Sequence, residues 1–130
     1  MANPNIVSVS SIYGESLGEA LTTTLTTVIM TVSANKLVKI NYIQIANDSG
    51  TAATDVTVAI TKADFTSDGV ASGDDNAGVA FLASTVTLPA DDVLVVLDKP
   101  IYLMEGDVLE GGANPATADI FISYEVIDDA

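Results

Sequence analysis

The 130-residue chain contains no cysteine, histidine, arginine or tryptophan. Each absence removes a class of chemistry. Without cysteine there is no disulfide framework, thiol nucleophile or thiolate metal site. Without histidine, Ser-His-Asp and Cys-His catalysis are excluded, as are the histidine-based zinc sites. Without arginine there is no bidentate guanidinium fork for phosphate or carboxylate. Positive charge is scarce: four lysines (Lys36, Lys39, Lys62 and Lys99) stand against 18 acidic residues, for a net charge of −14. Nucleic-acid binding rests on neutralising phosphates, and anionic membranes attract basic segments, so neither nucleic acid nor a membrane is the expected partner. Long apolar runs are missing too. None approaches the roughly 18 to 20 residues that cross a bilayer. The opening "MANPNIVSVSSIY" has neither the basic n-region nor the apolar h-region of a Sec signal, so synthesis in the cytoplasm is expected.

What is present favours β-structure. Apolar residues make up 48% of the chain and mean hydropathy is +0.43, which argues for a packed core rather than disorder. Much of that hydrophobicity is Val, Ile and Ala, with abundant Thr and few aromatics, a composition suited to pleated, half-buried surfaces. The length fits one domain. Residues 1–21 are less regular and read as an N-terminal arm or a first edge strand, and residues 22–130 as the domain.

From there strand signals recur. "TTTLTTVIMTV" ends at Val32 and "SANK" turns. "DVTVAIT" alternates cleanly, with Val56, Val58 and Ile60 on one face. Residues 62–78 form a long acidic Gly/Ser/Asp loop. "AFLASTVTL" puts Leu82, Ser84, Val86 and Leu88 on one face. "VLVVLD" reads as a strand buried on both faces. "KPIYLMEGDVLEGG" reads as two short strands joined at "EGD". In "DIFISYEVID", Ile120, Ile122, Tyr124 and Val126 share a face. About eight short strands with turn signals at roughly 8 to 12 residue spacing, and no substantial helix, predict an all-β antiparallel sandwich or jelly roll.

One strand breaks the rule of alternation. In "TVSANKLVKINYIQIAN" the apolar phase changes near Ile43. A β-bulge would do this, as would a strand apolar on both faces because a subunit covers the second. Lys36 and Lys39 sit at its turn end. They are either solvated charges relieving local repulsion or partners for carboxylates of a neighbouring chain.

Candidate chemistry is sparse. Asp64, Asp68, Asp74 and Asp75 are oxygen ligands in the long loop. Their spacing matches neither an EF-hand nor a Gly-Asp repeat, so a solvated loop is expected and no metal is assigned. Phe65 within it either tucks beneath the loop or anchors a partner. A glycosidase needs two carboxylates across a cleft. Glu105, Asp107 and Glu110 are available, but "EGD" is also a common turn. Ser33 and Lys36 could be drawn as a dyad, yet nothing depresses that lysine's pKa. No catalytic residue and no cofactor is therefore expected. Among the aromatic side chains, Tyr42 and Tyr102 are either core or interface. Sugar binding through aromatic platforms stays open.

The order of motifs resembles a known group. "LTTTLTTVIMTVSANKLVKINYIQIAN" is similar to the "TLYTVPAGK…V…I.VAN" opening of small β-domains in tailed-phage virions, and "LDKPIYLMEGD" and "ISYEVI" look like later strands of the same domain. The likeness spans residues 22–127 and points to virion structural proteins of phages infecting marine bacteria and cyanobacteria. It departs at Ser33-Ala34-Asn35-Lys36, where Pro-Ala-Gly-Lys is usual. The resemblance implies a capsid decoration (cement) protein on the outer head surface, a homotrimer bridging capsomers and contacting the major capsid protein. A tail or fibre component or adhesin is the alternative, and a carbohydrate-binding module a further one. From the residue reading above, Lys36, Lys39, Tyr42, Phe65 and Tyr102 are the candidate partner contacts.

Overall fold

The computed structural model describes residues 11–23, 25, 27–63 and 78–128, apart from the Thr27 side chain. They form nine strands and no helix: β1 (Ser11–Ala20), β2 (Thr27–Thr31), β3 (Lys36–Asn47), β4 (Thr54–Thr61), β5 (Val79–Leu88), β6 (Val93–Leu97), β7 (Ile101–Leu103), β8 (Val108–Asn114) and β9 (Ala118–Asp128). Two antiparallel sheets pack face to face as a β-sandwich, the predicted class. One has the order β1-β9-β3-β6, with β7 also pairing β3. The other has the order β2-β8-β4-β5.

The core lies between the sheets. Val38, Ile40, Ile43 and Ile45 of β3 and Ile120, Ile122 and Val126 of β9 face Val56, Val58 and Ile60 of β4 and Leu109 of β8. Each such side chain stabilises the fold by about 1.5 to 3 kcal/mol relative to exposure. The alternation read in "DVTVAIT" and "DIFISYEVID" is the inward phase of β4 and β9, with Tyr124 only partly buried against the core.

The phase break in β3 is a bulge. Ile40 pairs Tyr124 and Tyr42 pairs Ser123, so Asn41 has no opposite residue on β9. Val38 and Ile40 point inward before it, Ile43 and Ile45 after it. One extra residue converts even phase to odd. The turn before β3 places Asn35 at φ 61°. This is the left-handed region that glycine fits best and asparagine tolerates, so the departure from Pro-Ala-Gly-Lys leaves that position serviceable.

Two strand readings need correction. In β6, Val93 and Val95 are about half exposed, at 49% and 48%, while Leu94, Val96 and Leu97 pack on the core. A continuous apolar run mimics two-sided burial, but this strand buries one face only. In β5, Leu88 is buried and Leu82 packs on the core, whereas Ser84 and Val86 are exposed. The register against β4 slips twice and Thr85 takes φ 49°, so the alternation does not run through.

Buried polar groups are few and engaged. Asn47 Nδ2 donates to the carbonyls of Ala52, Leu88 and Pro89, while its Oδ1 accepts from Ser49 N and Thr117 Oγ1. Asp107, 1% exposed, accepts from Met104 N at 2.9 Å and Ala63 N at 3.0 Å. It also ion-pairs with Lys62. A buried carboxylate needs that full set of donors.

Candidate interaction face

The outward face of the β1-β9-β3-β6 sheet follows from its register. Lys39 lies between Glu125 and Tyr102. Tyr42 lies opposite Ser123, and Gln44 between Phe121 and Val95. Phe121 is in turn opposite Gly18, and Ala46 stands between Asp119 and Val93. Phe121 is 43% and Tyr102 49% exposed, beside the half-exposed Val93 and Val95. Aromatic and β-branched side chains thus cover one broad face. Its lysine is paired: Lys39 Nζ lies 3.6 Å from Glu125, and Asn41 Nδ2 donates to the same carboxylate at 3.2 Å. Tyr42 OH donates to Gln44 Oε1 at 2.9 Å, which satisfies the phenol within the face.

The β1 margin of this face is shallow. Gly18 carries no side chain where a Cβ would stand 3.8 Å from Phe121. A hollow of about 350 Å³ opens beside that ring, between Gly18 and Asp119. The central strands of the other sheet turn Asp55, Thr57, Thr61, Glu110 and Asn114 outward, and its margins add exposed Val28, Val79 and Phe81.

The structure gathers three of the five candidate contacts, Lys39, Tyr42 and Tyr102, onto the outward face. Lys36 is not among them. It lies in the inward phase at the start of β3, with Nζ 2.6 Å from Asp128. Both β3 lysines therefore meet carboxylates of their own chain on β9. Phe65 lies outside the described residues, as do Asp64, Asp68, Asp74 and Asp75. Phe121, Val93 and Val95 escaped the sequence reading. The signal was present, since Phe121 stands between Ile120 and Ile122 and must face away from the core.

The carboxylates and the lysine weighed as catalytic candidates are engaged by the fold. Glu105 Oε2 accepts from Asn35 N, Glu110 Oε1 from Thr61 Oγ1, and Asp107 is saturated as described. The hydrogen bond to Asp128 holds the Lys36 ammonium above its ordinary pKa. A general-base lysine needs the opposite shift. Among the described residues no group of three or more acidic side chains could hold a metal ion.

At the open end of the sandwich, where β1 and β2 bound their sheets, lies a second recess of about 220 Å³. Tyr124 OH donates to Glu15 Oε2 at 2.8 Å there. Burial, then that hydrogen bond and the charge of Glu15, push the Tyr124 phenol up to about 12.

Comparison of the chain with protein-family models, curated proteins and solved structures gives no match.

Proposed function

We propose that this protein is a non-catalytic structural component of a tailed-phage virion, a decoration protein on the outer surface of the head. It would associate as a homotrimer and dock on the major capsid protein, bridging neighbouring capsomers against the outward pressure of packed DNA. The observation that carries this reading is the outward face of the β1-β9-β3-β6 sheet, where exposed Phe121, Tyr102, Val93 and Val95 share one surface with a paired Lys39 and Glu125 on a molecule of net charge −14. Exposed apolar patches of this kind mark protein interfaces, and aromatic residues are enriched at such interfaces. The acidic remainder favours the exterior of a head over its DNA-filled interior. The resemblance of residues 22–127 to small virion β-domains supplies the setting. Symmetric repetition of many weak contacts then supplies avidity.

The test is co-sedimentation with purified expanded heads. The native protein should sediment with the heads, and Phe121→Lys and Tyr102→Lys should each lower occupancy at least tenfold while leaving the melting temperature within a few degrees. Cryo-EM of the parent virion showing no density for this protein on the head would refute the proposal.

A further inference from the structure

Asp119 and Phe121 are two residues apart on β9, so both project from the outward face, roughly 6 to 7 Å from one another along the strand. Their cross-strand neighbours leave them open. Phe121 lies between Gly18 and Gln44, and Asp119 between Ala20 and Ala46. Glycine and alanine raise no wall on the β1 side, and the hollow of about 350 Å³ beside the ring opens there. Phe121 is 43% exposed, and Asp119 is exposed as well. Among the described residues no hydrogen bond or ion pair reaches the Asp119 carboxylate. Glu19, in the inward phase of β1 opposite Ile120, adds negative field at the same margin.

An aromatic ring has a negative face, and the carboxylate beside it carries a full negative charge. Both attract a cation, and the chain does not supply one here. It has no arginine. Lys36, Lys39 and Lys62 are paired with Asp128, Glu125 and Asp107. Lys99 sits in the turn between β6 and β7, across the sheet from β1. A metal ion needs several oxygen ligands, and among the described residues no group of three acidic side chains could hold one. A guanidinium meets both groups at once. It stacks on the ring within about 6 Å of the centroid and turns its fork of N–H donors to the carboxylate.

We propose that the surface docking on this face presents an arginine, whose guanidinium seats on Phe121 and pairs with Asp119. The inference rests on the reading that the face docks on a partner protein. It adds that partner's chemistry, a basic patch to meet a chain of net charge −14. Val95 and Val93 lie across Gln44 and Ala46 from Phe121 and Asp119. The same partner covers them, and they keep water from the pair, which strengthens it.

The seat is read first without heads. The isotope-labelled protein is titrated with N-acetyl-arginine amide and followed by NMR. A parallel titration uses N-acetyl-citrulline amide, which keeps the planar shape and lacks the charge. The arginine amide should shift the Asp119 and Phe121 resonances saturably, with a dissociation constant on the order of 10 mM. The citrulline amide should bind at least tenfold more weakly. Asp119→Asn and Phe121→Leu should each weaken arginine binding at least threefold, and Glu110→Gln, on the outward face of the other sheet, should change nothing. Thermal melts establish that every variant is folded. Equal binding of the citrulline amide would overturn the proposal. So would shifts spread evenly over the acidic surface, or unaltered affinity in folded Asp119→Asn. Purified expanded heads then separate the seat from the docking. Asp119→Asn should lower head occupancy at least threefold. Heads that take up Asp119→Asn as well as native protein, but reject Phe121→Lys, would overturn the arginine seat and leave the docking intact. Heads that take up no native protein would overturn the docking itself. Loss of self-association in Lys99→Met would assign the cation to a second copy and overturn the proposal.

Discussion

Asp107 shows how much one residue can hold. Its carboxylate joins Met104, Ala63 and Lys62, and its backbone carbonyl accepts from Val32 N at 3.0 Å. The ends of β2 and β4 and the turn before β8 therefore meet on a single acid. Asp107→Asn leaves the Lys62 ammonium partly buried without its counter-charge, and should lower stability by about 3 to 5 kcal/mol in urea unfolding. Adding Lys62→Met should recover part of that loss, because the uncompensated charge goes with it. None of this was visible in "EGD", which has the composition of a solvent-facing turn. The partner is 45 residues away, and burial of a turn carboxylate is a tertiary property. Tyr124 yields a second test. Its folded-state pKa of about 12 lies above the ordinary 10, so the neutral phenol is favoured by folding. That stabilisation is complete below about pH 10 and is lost as pH rises toward 12. Lys36, also raised, acts in the same direction. Urea midpoints should fall across this alkaline window. Absorbance at about 295 nm should show one late-titrating tyrosine that disappears in Tyr124→Phe.

Among the elements, β3 is the most informative. The odd placement of apolar residues around Ile43 looked like a defect in a strand pattern, and it is the bulge at Asn41 written into the sequence. Deleting Asn41 removes the bulge and leaves Ile43 and Ile45 inward in strict alternation, so the fold should survive, whereas inserting one residue between Tyr42 and Ile43 should turn Ile43 and Ile45 outward and Gln44 and Ala46 toward the core. The expected result of the insertion is loss of the cooperative thermal transition and insoluble expression, because a one-residue slip inverts every side chain beyond it. Ile43→Ala keeps the phase and should cost only about 2 to 5 kcal/mol, with the transition intact. Legibility varied with strand environment. In β4 and β9, buried between neighbours, strict alternation survived and the inward faces of Val56–Ile60 and Ile120–Ile122 were readable. In β5, at a sheet margin, packing is too weak to enforce one register, and slips at Val56/Val58 and Val58/Ala59 defeated the pattern. In β6, Val93 and Val95 were indistinguishable from core residues, because the sequence does not say whether an outward apolar side chain will be covered. On the outward face, Tyr42 and Tyr102 could be picked out as aromatics of uncertain placement, whereas their assembly with Phe121 depends on β9 pairing β3.

At the scale of the whole molecule, charge opposes association. A net charge of −14 makes copies repel one another in solution, and on the face bearing Phe121 the lysine is already paired with Glu125. Self-association through that face should strengthen as ionic strength rises from about 0.01 M to 0.15 M and the Debye length shrinks from about 30 to 8 Å. Sedimentation velocity would read this as a salt-induced shift toward oligomer, absent in Phe121→Lys. The junction at Lys62 has a practical corollary. Lys62 N donates to Gly78 O at 2.6 Å while its side chain is fixed on Asp107, so the chain leaves β4 and re-enters toward β5 through one clasped gateway. Lengthening the chain between those two residues costs only the slow logarithmic penalty of loop closure. That makes the interval a natural cassette, a place where foreign peptides can be spliced in and exchanged while the two sheets beneath stay as they are.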